Sequence, residues 1–472
     1  MKIYLMGICG TAMAHVALLF KELGHSVVGS DTQFFDPIAN LLIKNQIETH
    51  TGFDAQRLQT LKPDCVIVGN IISRGNPEVE YLLNEPICPL YSFPQFLEQH
   101  IIPRRSTFVV TGTHGKTTTT TLLTYLLKQF CDPGYLIGGL PNNFEHGTSW
   151  GDAKAPFVLE GDEYDTAFFD KKSKFFHYWP HTLIISNIEF DHADIFDDLK
   201  SIQRTFYQLT RMVPSHGHIV MNGDDPNVTA LLPCDWTHTH CVGFKKQNEW
   251  QIKNFITTPR GSQFDLCKSE KCIFANICLP LLGRFNAHNA ALAIVACYVN
   301  QYTAIDVQRL TLFSGVHRRQ SMLFESEQLT ILEDFAHHPT AIRSVLETLK
   351  AHYPRHYLIA CFEPACNTSA STWFAQQSYP TFSCADEVWF APRKANIYCD
   401  KFIQPLVPMD FTQVQQTLQQ NGIKVNVFGS LNELIACIEG LTPTVPTLLC
   451  CFSNGRLSTL LSNTQRKMHR HG

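Results

Sequence analysis

The sequence predicts an α/β protein made of three successive units, each a parallel sheet covered by helices. Three observations point there. The chain has 472 residues, enough for two to four domains. Short apolar strand signals alternate with helical spacing along most of it. Two glycine turns, one near residue 7 and one near residue 112, each sit between a strand and a helix. In the first unit Lys2–Met6 reads as a strand, GICGT as a tight turn, and Ala12–Leu23 as a helix ended by Gly24. Ser26–Gly29 and Cys65–Asn70 read as further strands. Ile102-Pro103-Arg104-Arg105 is a short polar break. A second block opens with the β-rich Thr107–Val110, a glycine turn, and a helix with apolar spacing at Leu122, Leu123, Leu126 and Leu127. Pro156–Gly161, Thr182–Asn187 and His218–Gly223 read as its strands, and Leu281–Asn300 as a turn and a buried helix. A third block carries strands at Leu329–Phe335, Tyr357–Phe362, Glu387–Pro392 and Thr447–Ser453. The expected units are 1–104, 105–314 and 315–472.

Composition removes several function classes. Hydrophobic residues are 44% and charged residues 17%, ordinary for a globular protein and unlike a disordered chain. Thirty-eight Lys and Arg against 42 Asp and Glu give a net charge of -4, so no general attraction to nucleic acid or an anionic membrane is expected. The terminal RKMHRHG reads as a solvated tail. Seventeen scattered cysteines form no small disulfide framework and read as reduced thiols. Cys267 and Cys272 have no second pair at zinc-finger spacing, and Cys450-Cys451 lies in a buried strand pattern. No apolar run approaches the ~18–20 residues that span a bilayer. Gly7 and Gly10 split the apolar start, which reads as mature, cytoplasmic sequence rather than a signal peptide.

The strongest local signal is Gly112-Thr113-His114-Gly115-Lys116-Thr117-Thr118. It follows a strand and opens a helix, where backbone N–H groups and the positive helix end hold polyphosphate. Lys116 can neutralise the β/γ-phosphates, and the Thr117 hydroxyl can ligate Mg2+. Val110 stands where the longer form of this loop has glycine, so the match is G-x-x-G-K-[ST]. Glu160-Gly161-Asp162-Glu163 ends one strand and Asn187–His192 ends another. Strand ends are where an open α/β sheet exposes catalytic side chains. A carboxylate and an imidazole near the loop threonine suit a hard metal bridging phosphates. An isolated acid or histidine would be unremarkable; the joint placement carries the argument.

These residues resemble the Mur ligase family, ATP-dependent amide-bond-forming enzymes of bacterial cell-wall synthesis. The resemblance runs the whole chain: GICGTAM (Gly7–Met13) and GSD (Gly29–Asp31), GTHGKTT, EGDE and NIEFDHADIF, the G-x-x-N-x-x-N-A spacing from Gly283, then GVHRRQ (Gly315–Gln320) and LEDFAHHPT (Leu332–Thr340). AHHPT and that asparagine spacing resemble the branch acting on UDP-N-acetylmuramate. Ser73–Leu82, Glu163–Phe175 and Glu189–Leu199 resemble its member that joins this donor to the recycled murein tripeptide L-alanyl-γ-D-glutamyl-meso-diaminopimelate, a step of peptidoglycan recycling.

The resemblance implies a Rossmann-like UDP-binding domain, a central P-loop ATPase-type domain and a C-terminal Rossmann-like domain. It implies ATP and Mg2+ as cofactors, with the donor and the tripeptide as the only partners of a monomer. Lys116 would hold the transferred phosphate, and Thr117, Glu160 and His192 would serve two Mg2+ sites. Asn286, His288 and Asn289 would face the adenine. Arg319 would swing onto the γ-phosphate, and Asp334, with His337 and His338 beside it, would bind ribose or orient the nucleotide. Gly10, Thr11, Ala12 and Met13 would meet the UDP diphosphate. Ser30 and Asp31 would reach ribose or uracil, and Asn70, Ser73 and Arg74 the sugar nucleotide. Asn142, in Gly139–Asn143, would line the path to the ATP site.

Three positions depart from the family. The carbamylated lysine of several members has no counterpart near Tyr207, as in the muramate–alanine branch. In FEPACNTSAST (Phe362–Thr372) Ala365-Cys366 stands where relatives tend to place an arginine, and SNGRLS (Ser453–Ser458) replaces a more glycine-rich turn. Rival readings are the L-alanine ligase of the same branch, a folylpolyglutamate-synthase-like ligase, a nicotinamide-dependent oxidoreductase using Asp31 as ribose acid, and a nucleotide-binding switch. The oxidoreductase leaves Lys116, Glu160 and His192 without a role.

Overall fold

The structure is a computed structural model, and it describes residues 1–393, 406–462 and 464. The tail RKMHRHG lies outside the described residues. Three large sheets follow one another along the chain, and a two-stranded ribbon, Asp165–Ala167 with Asp170–Ser173, accompanies the second. The first has the order Glu48–Thr51, Ser26–Asp31, Lys2–Met6, Cys65–Val68, Leu90–Ser92, all parallel. Strands buried on both faces need continuous apolar runs, and Ile3, Leu5, Met6, Val66, Ile67 and Val68 supply them.

The second sheet has ten strands, centred on Thr107–Thr111 between Thr182–Ile185 and Phe157–Glu160. Beyond Thr182–Ile185 lie His218–Asn222 and His238–Gly243, both parallel. The sheet then continues into an antiparallel run, Trp250–Thr258, Gly261–Lys268 and Lys271–Leu279. That run was not expected from the sequence. Its turn at Ser269-Glu270 takes positive φ values of 45° and 70° without a glycine to announce it. Cys267 and Cys272 face each other across this hairpin. Neither belongs to any metal-competent cluster among the described residues, which hold no disulfide.

Two helices lie on this sheet. Lys116–Leu127 buries Leu122, Leu123, Leu126 and Leu127. Arg284–Val299 is buried over most of its circumference, from Asn286 to Cys297. A helix buried all round needs an apolar sequence without a polar face, and AALAIVAC provides one.

The third sheet runs Ser321–Glu325, Leu329–Asp334, Thr447–Phe452, Tyr357–Phe362, Glu387–Phe390, Lys424–Val427. Only its first pair is antiparallel. Cys450 and Cys451 are buried in its centre, as their apolar run predicts. No helix among the described residues is long and apolar enough to cross a membrane.

The units touch through specific bonds. Between the first and second, the buried His15 donates Nδ1–H to the Ile137 carbonyl at 3.0 Å. The Trp150 amide donates to Glu22 at 2.9 Å, and His177 lies 2.6 Å from Glu98. Between the second and third, the Ala193 amide donates to Thr368 Oγ1 at 3.2 Å, and Phe190 meets Trp373 edge-on at 5.5 Å.

Candidate active site

The phosphate loop is shaped by close approach. Gly112 has φ 132°, and a Cβ there would stand 2.1 Å from Ser186 Oγ. Gly115 has φ 79°, and a Cβ there would stand 2.7 Å from Asn289 Oδ1. Only glycine fits either position. The loop is braced from the neighbouring strand end: the Thr113 and His114 amides donate to Asn187 O and Asn187 Oδ1 at 3.1 and 2.7 Å. The helix Lys116–Leu127 begins with no side-chain cap. Its first N–H groups, including those of Thr117 and Thr118, are left for an anion.

Charged groups converge on this loop. Lys116 Nζ lies 2.8 Å from Gly112 O and 2.7 Å from Glu163 Oε2. The other oxygen of Glu163 is 3.1 Å from His192 Nε2. Thr117 Oγ1 donates to Glu160 Oε1 at 2.9 Å, and the Gly138 amide donates to Glu160 Oε2 at 2.7 Å. From the third unit, Arg319 Nη2 donates to Thr117 Oγ1 at 3.3 Å. Asp162 pairs with Lys174 at 2.7 Å.

The electrostatics follow from burial opposed by neighbours. Burial disfavours the His192 cation, but Asp191 and Glu163 outweigh it and hold the imidazolium up to about 9. Burial raises the Glu163 carboxyl, and Lys116 and His192 more than reverse that. Glu160 goes the other way: burial pushes its carboxyl up despite the Gly138 amide and Lys116. A buried carboxylate short of positive charge, beside a threonine hydroxyl, is a hard-oxygen donor set that fits Mg2+.

Sequence reasoning named Glu160 and His192 as partners in the metal group. The structure places Thr117 with Glu160, and groups His192 with Glu163 and Asp162. Glu163 is the last residue of EGDE; of four consecutive residues, only geometry shows which carboxylate faces the lysine.

The remaining expected residues fall into three sets. Asn289 abuts Gly115 and donates to Asn286 Oδ1, one helical turn before it, at 3.4 Å. Asn286 donates to Leu282 O at 2.8 Å, and His288 is buried 3.1 Å from Val242 O. Asp334 accepts from the Gln320 and Ala336 amides at 2.9 and 2.7 Å, so it fixes the segment carrying Arg319. His337 Nδ1 is 3.1 Å from Phe335 O, and burial pushes its ring down to about 4. Asn142 is tied to that same segment, through Ser314 O at 2.8 Å and Gly315 O at 3.1 Å.

In the first unit, Gly10 caps the helix Thr11–Glu22 with no side-chain bond, leaving the N–H groups around Thr11, Ala12 and Met13 without a side-chain cap. Asp31 accepts from the Cys9 and Thr32 amides at 2.9 and 2.7 Å, which braces the turn. Ser30 donates to Glu78 at 3.0 Å, inside a buried group with Tyr4 and Arg57 that the sequence did not reveal. Asn70 is half-buried, Ser73 is exposed, and the exposed Arg74 forks onto Glu80 at 2.9 and 3.0 Å.

The departure at Ala365-Cys366 also has a structural setting. Ala365 is pressed by Gly455, where a Cβ would lie 2.6 Å away. The Glu363 carboxylate accepts from Ser453 Oγ at 2.5 Å and from the Arg456 and Leu457 amides. One carboxylate thus locks the two altered segments together.

The Mur ligase middle domain matches residues 110–297, and the Mur ligase family, catalytic domain, matches residues 2–105. The chain is 42% identical over 395 residues to the UDP-N-acetylmuramate--L-alanyl-gamma-D-glutamyl-meso-2,6-diaminoheptandioate ligase of Escherichia coli, covering 82% of this chain and 84% of that one. It is 28% identical to the UDP-N-acetylmuramate--L-alanine ligase of Clostridium acetobutylicum, over 92% of this chain and 91% of that one. Among solved structures, a murein peptide ligase from Psychrobacter arcticus superposes with a TM-score of 0.73 at 31% identity, covering 98% of this chain and 99% of that one. With likeness of that degree along most of its length, the chain belongs to the Mur ligase family.

Proposed function

We propose that the chain is the ATP-dependent, ADP-forming ligase that joins UDP-N-acetylmuramate to L-alanyl-γ-D-glutamyl-meso-diaminopimelate. Its units are 1–104 for the sugar nucleotide, 105–314 for ATP and 315–472 for the acceptor and for closure. The higher identity to the tripeptide ligase than to the alanine ligase supports this acceptor. The observation that carries the chemistry is the meeting of Lys116, Thr117, Glu160, Glu163 and His192 with Arg319 from the third unit.

In this reading the uncapped turn at Gly10 binds the donor diphosphate and aims the lactyl carboxylate at the ATP γ-phosphate. Attack there yields an acyl phosphate and ADP. The tripeptide α-amine then attacks the acyl carbon, and phosphate leaves through a tetrahedral intermediate. Mg2+ held by Thr117 and Glu160, and a second Mg2+ beside His192 once that ring gives up its proton, would neutralise phosphate charge. Lys116 moves from Glu163 onto the transferred phosphate, and Glu163 keeps His192 oriented. Arg319 adds a second cation once the third unit is closed, and closure keeps water from the acyl phosphate. The reading places the enzyme in the cytoplasm, where ATP is supplied, as a monomer.

The test is ADP release with UDP-N-acetylmuramate in the presence of either L-alanine or the tripeptide. Release driven by the tripeptide alone is expected. Release driven by L-alanine alone would move the chain to the housekeeping reaction.

A further inference from the structure

A second cluster lies where the phosphate loop meets the third unit, apart from Thr117, Glu160 and His192. His114 Nε2 is 3.3 Å from Glu189 Oε2, and His338 Nδ1 is 3.1 Å from the same oxygen. The three ligand atoms all lie within 4.8 Å of one another. His114 belongs to the phosphate loop, Glu189 to the segment after Thr182–Ile185, and His338 caps the third unit's helix Pro339–His352.

We propose that His114, Glu189 and His338 form a transition-metal site for an ion of the Zn2+ class, assembled only when the third unit closes on the second. Two imidazoles and one carboxylate are the ligands such an ion selects, whereas Mg2+ prefers an all-oxygen shell. Ligands bonded at about 2.0–2.1 Å around a tetrahedral ion stand roughly 3.3 Å apart, close to the 3.3 and 3.1 Å that separate the two imidazoles from Glu189. The aim of the ring suits it too. His338 Nε2 is 3.0 Å from Phe190 O and donates to it, which turns Nδ1 toward the Glu189 carboxylate. A ligating histidine typically makes that outer bond to a carbonyl. Without the ion a proton on Nδ1 bonds Glu189, and the Thr340 amide lies 3.3 Å away; the ion would take that proton's place. Three protein ligands leave a fourth position beside a loop built for phosphate. An ion there ties two units together and slows their opening.

The test uses the full chain without nucleotide, titrated with Co2+ alone and then with Zn2+. One Co2+ per chain with the intense visible absorption of a four-coordinate ion is expected, displaced by Zn2+. Glu189→Gln and His338→Gln should each weaken binding by about 10-fold or more. Small-angle scattering should show Zn2+ compacting the wild type and leaving Glu189→Gln unchanged. A second imidazole pair, His218 Nδ1 and His240 Nε2 at 3.3 Å, lies at the opposite ends of the strands and serves as the control. His240→Ala should leave the Co2+ spectrum intact. The proposal is overturned if no ion binds, if the spectrum is that of six-coordinate Co2+, or if His240→Ala abolishes binding while Glu189→Gln and His338→Gln do not. None of these readouts depends on which acceptor the enzyme uses.

Discussion

Two turns in this molecule use the same backbone device and differ in what surrounds it. At Gly10 and at Gly115 a strand of a parallel sheet passes through glycine into a twelve-residue helix whose N-terminus no side chain caps. Around Gly10 the GICGTAM turn carries no cation, and Asp31 is spent on the Cys9 and Thr32 amides. Around Gly115 stand Lys116, Glu160, Glu163, His192 and Arg319. In the proposed reaction the backbone alone would hold an anion, and the added charges would let the second turn break one.

The comparison can be broken at several points. Lys116→Ala should lower ADP release by about 10²–10³-fold or more while leaving donor binding nearly intact, measured by isothermal titration. Retained turnover would remove the lysine from the phosphate step. Glu163→Gln should reduce kcat by about 10–100-fold, because Lys116 and His192 lose their shared carboxylate. Its Mg2+ titration should shift to higher concentration; an unmoved curve would leave Glu163 a mere brace of the loop.

Gly10→Asp is the sharpest contrast. The backbone there is extended, and a Cβ has room, with Gly7 O at 3.5 Å. The new carboxylate should cap the helix, adding about a few tenths of a kcal/mol of stability, since glycine is itself a tolerated cap. It should also raise KM for the sugar nucleotide by about 10-fold with little change in kcat. A melting temperature that rises without a KM change would separate the cap from the binding site.

The smallest effect concerns the seam between these two regions. Burial pushes His15 down to about 4, so it is neutral in the folded protein. Its contribution is whole above pH 6.5 and is lost as the pH falls toward 4, because the unfolded chain takes up the proton first. His15→Gln keeps a donor for Ile137 O and should flatten the stability profile over that range.

Much of the sheet architecture was legible. Runs such as Val109-Val110, Leu183–Ile185 and Leu448–Cys451 are apolar on both faces, which only a covered parallel strand tolerates. The hairpins from Trp250 to Leu279 were not, since their half-exposed strands mix polar and apolar residues and the second of their turns, at Ser269-Glu270, lacks glycine. At the site, the loop spacing was visible because it is contiguous. The pairing of Glu163 with both Lys116 and His192 was hidden because it joins three separate elements. Asp31 and Ser30 looked like ligand contacts because of their place after a strand; their observed bonds are to Cys9, Thr32 and Glu78.

The third sheet places Thr447–Phe452 between Leu329–Asp334 and Tyr357–Phe362, although it is the last strand of the sheet to be synthesised. On the ribosome, the two neighbours must wait with open edges until that strand emerges. Asp334 ends one of those neighbours and anchors the segment bearing Arg319, so the setting of that arginine is completed only when the sheet's central strand is in place.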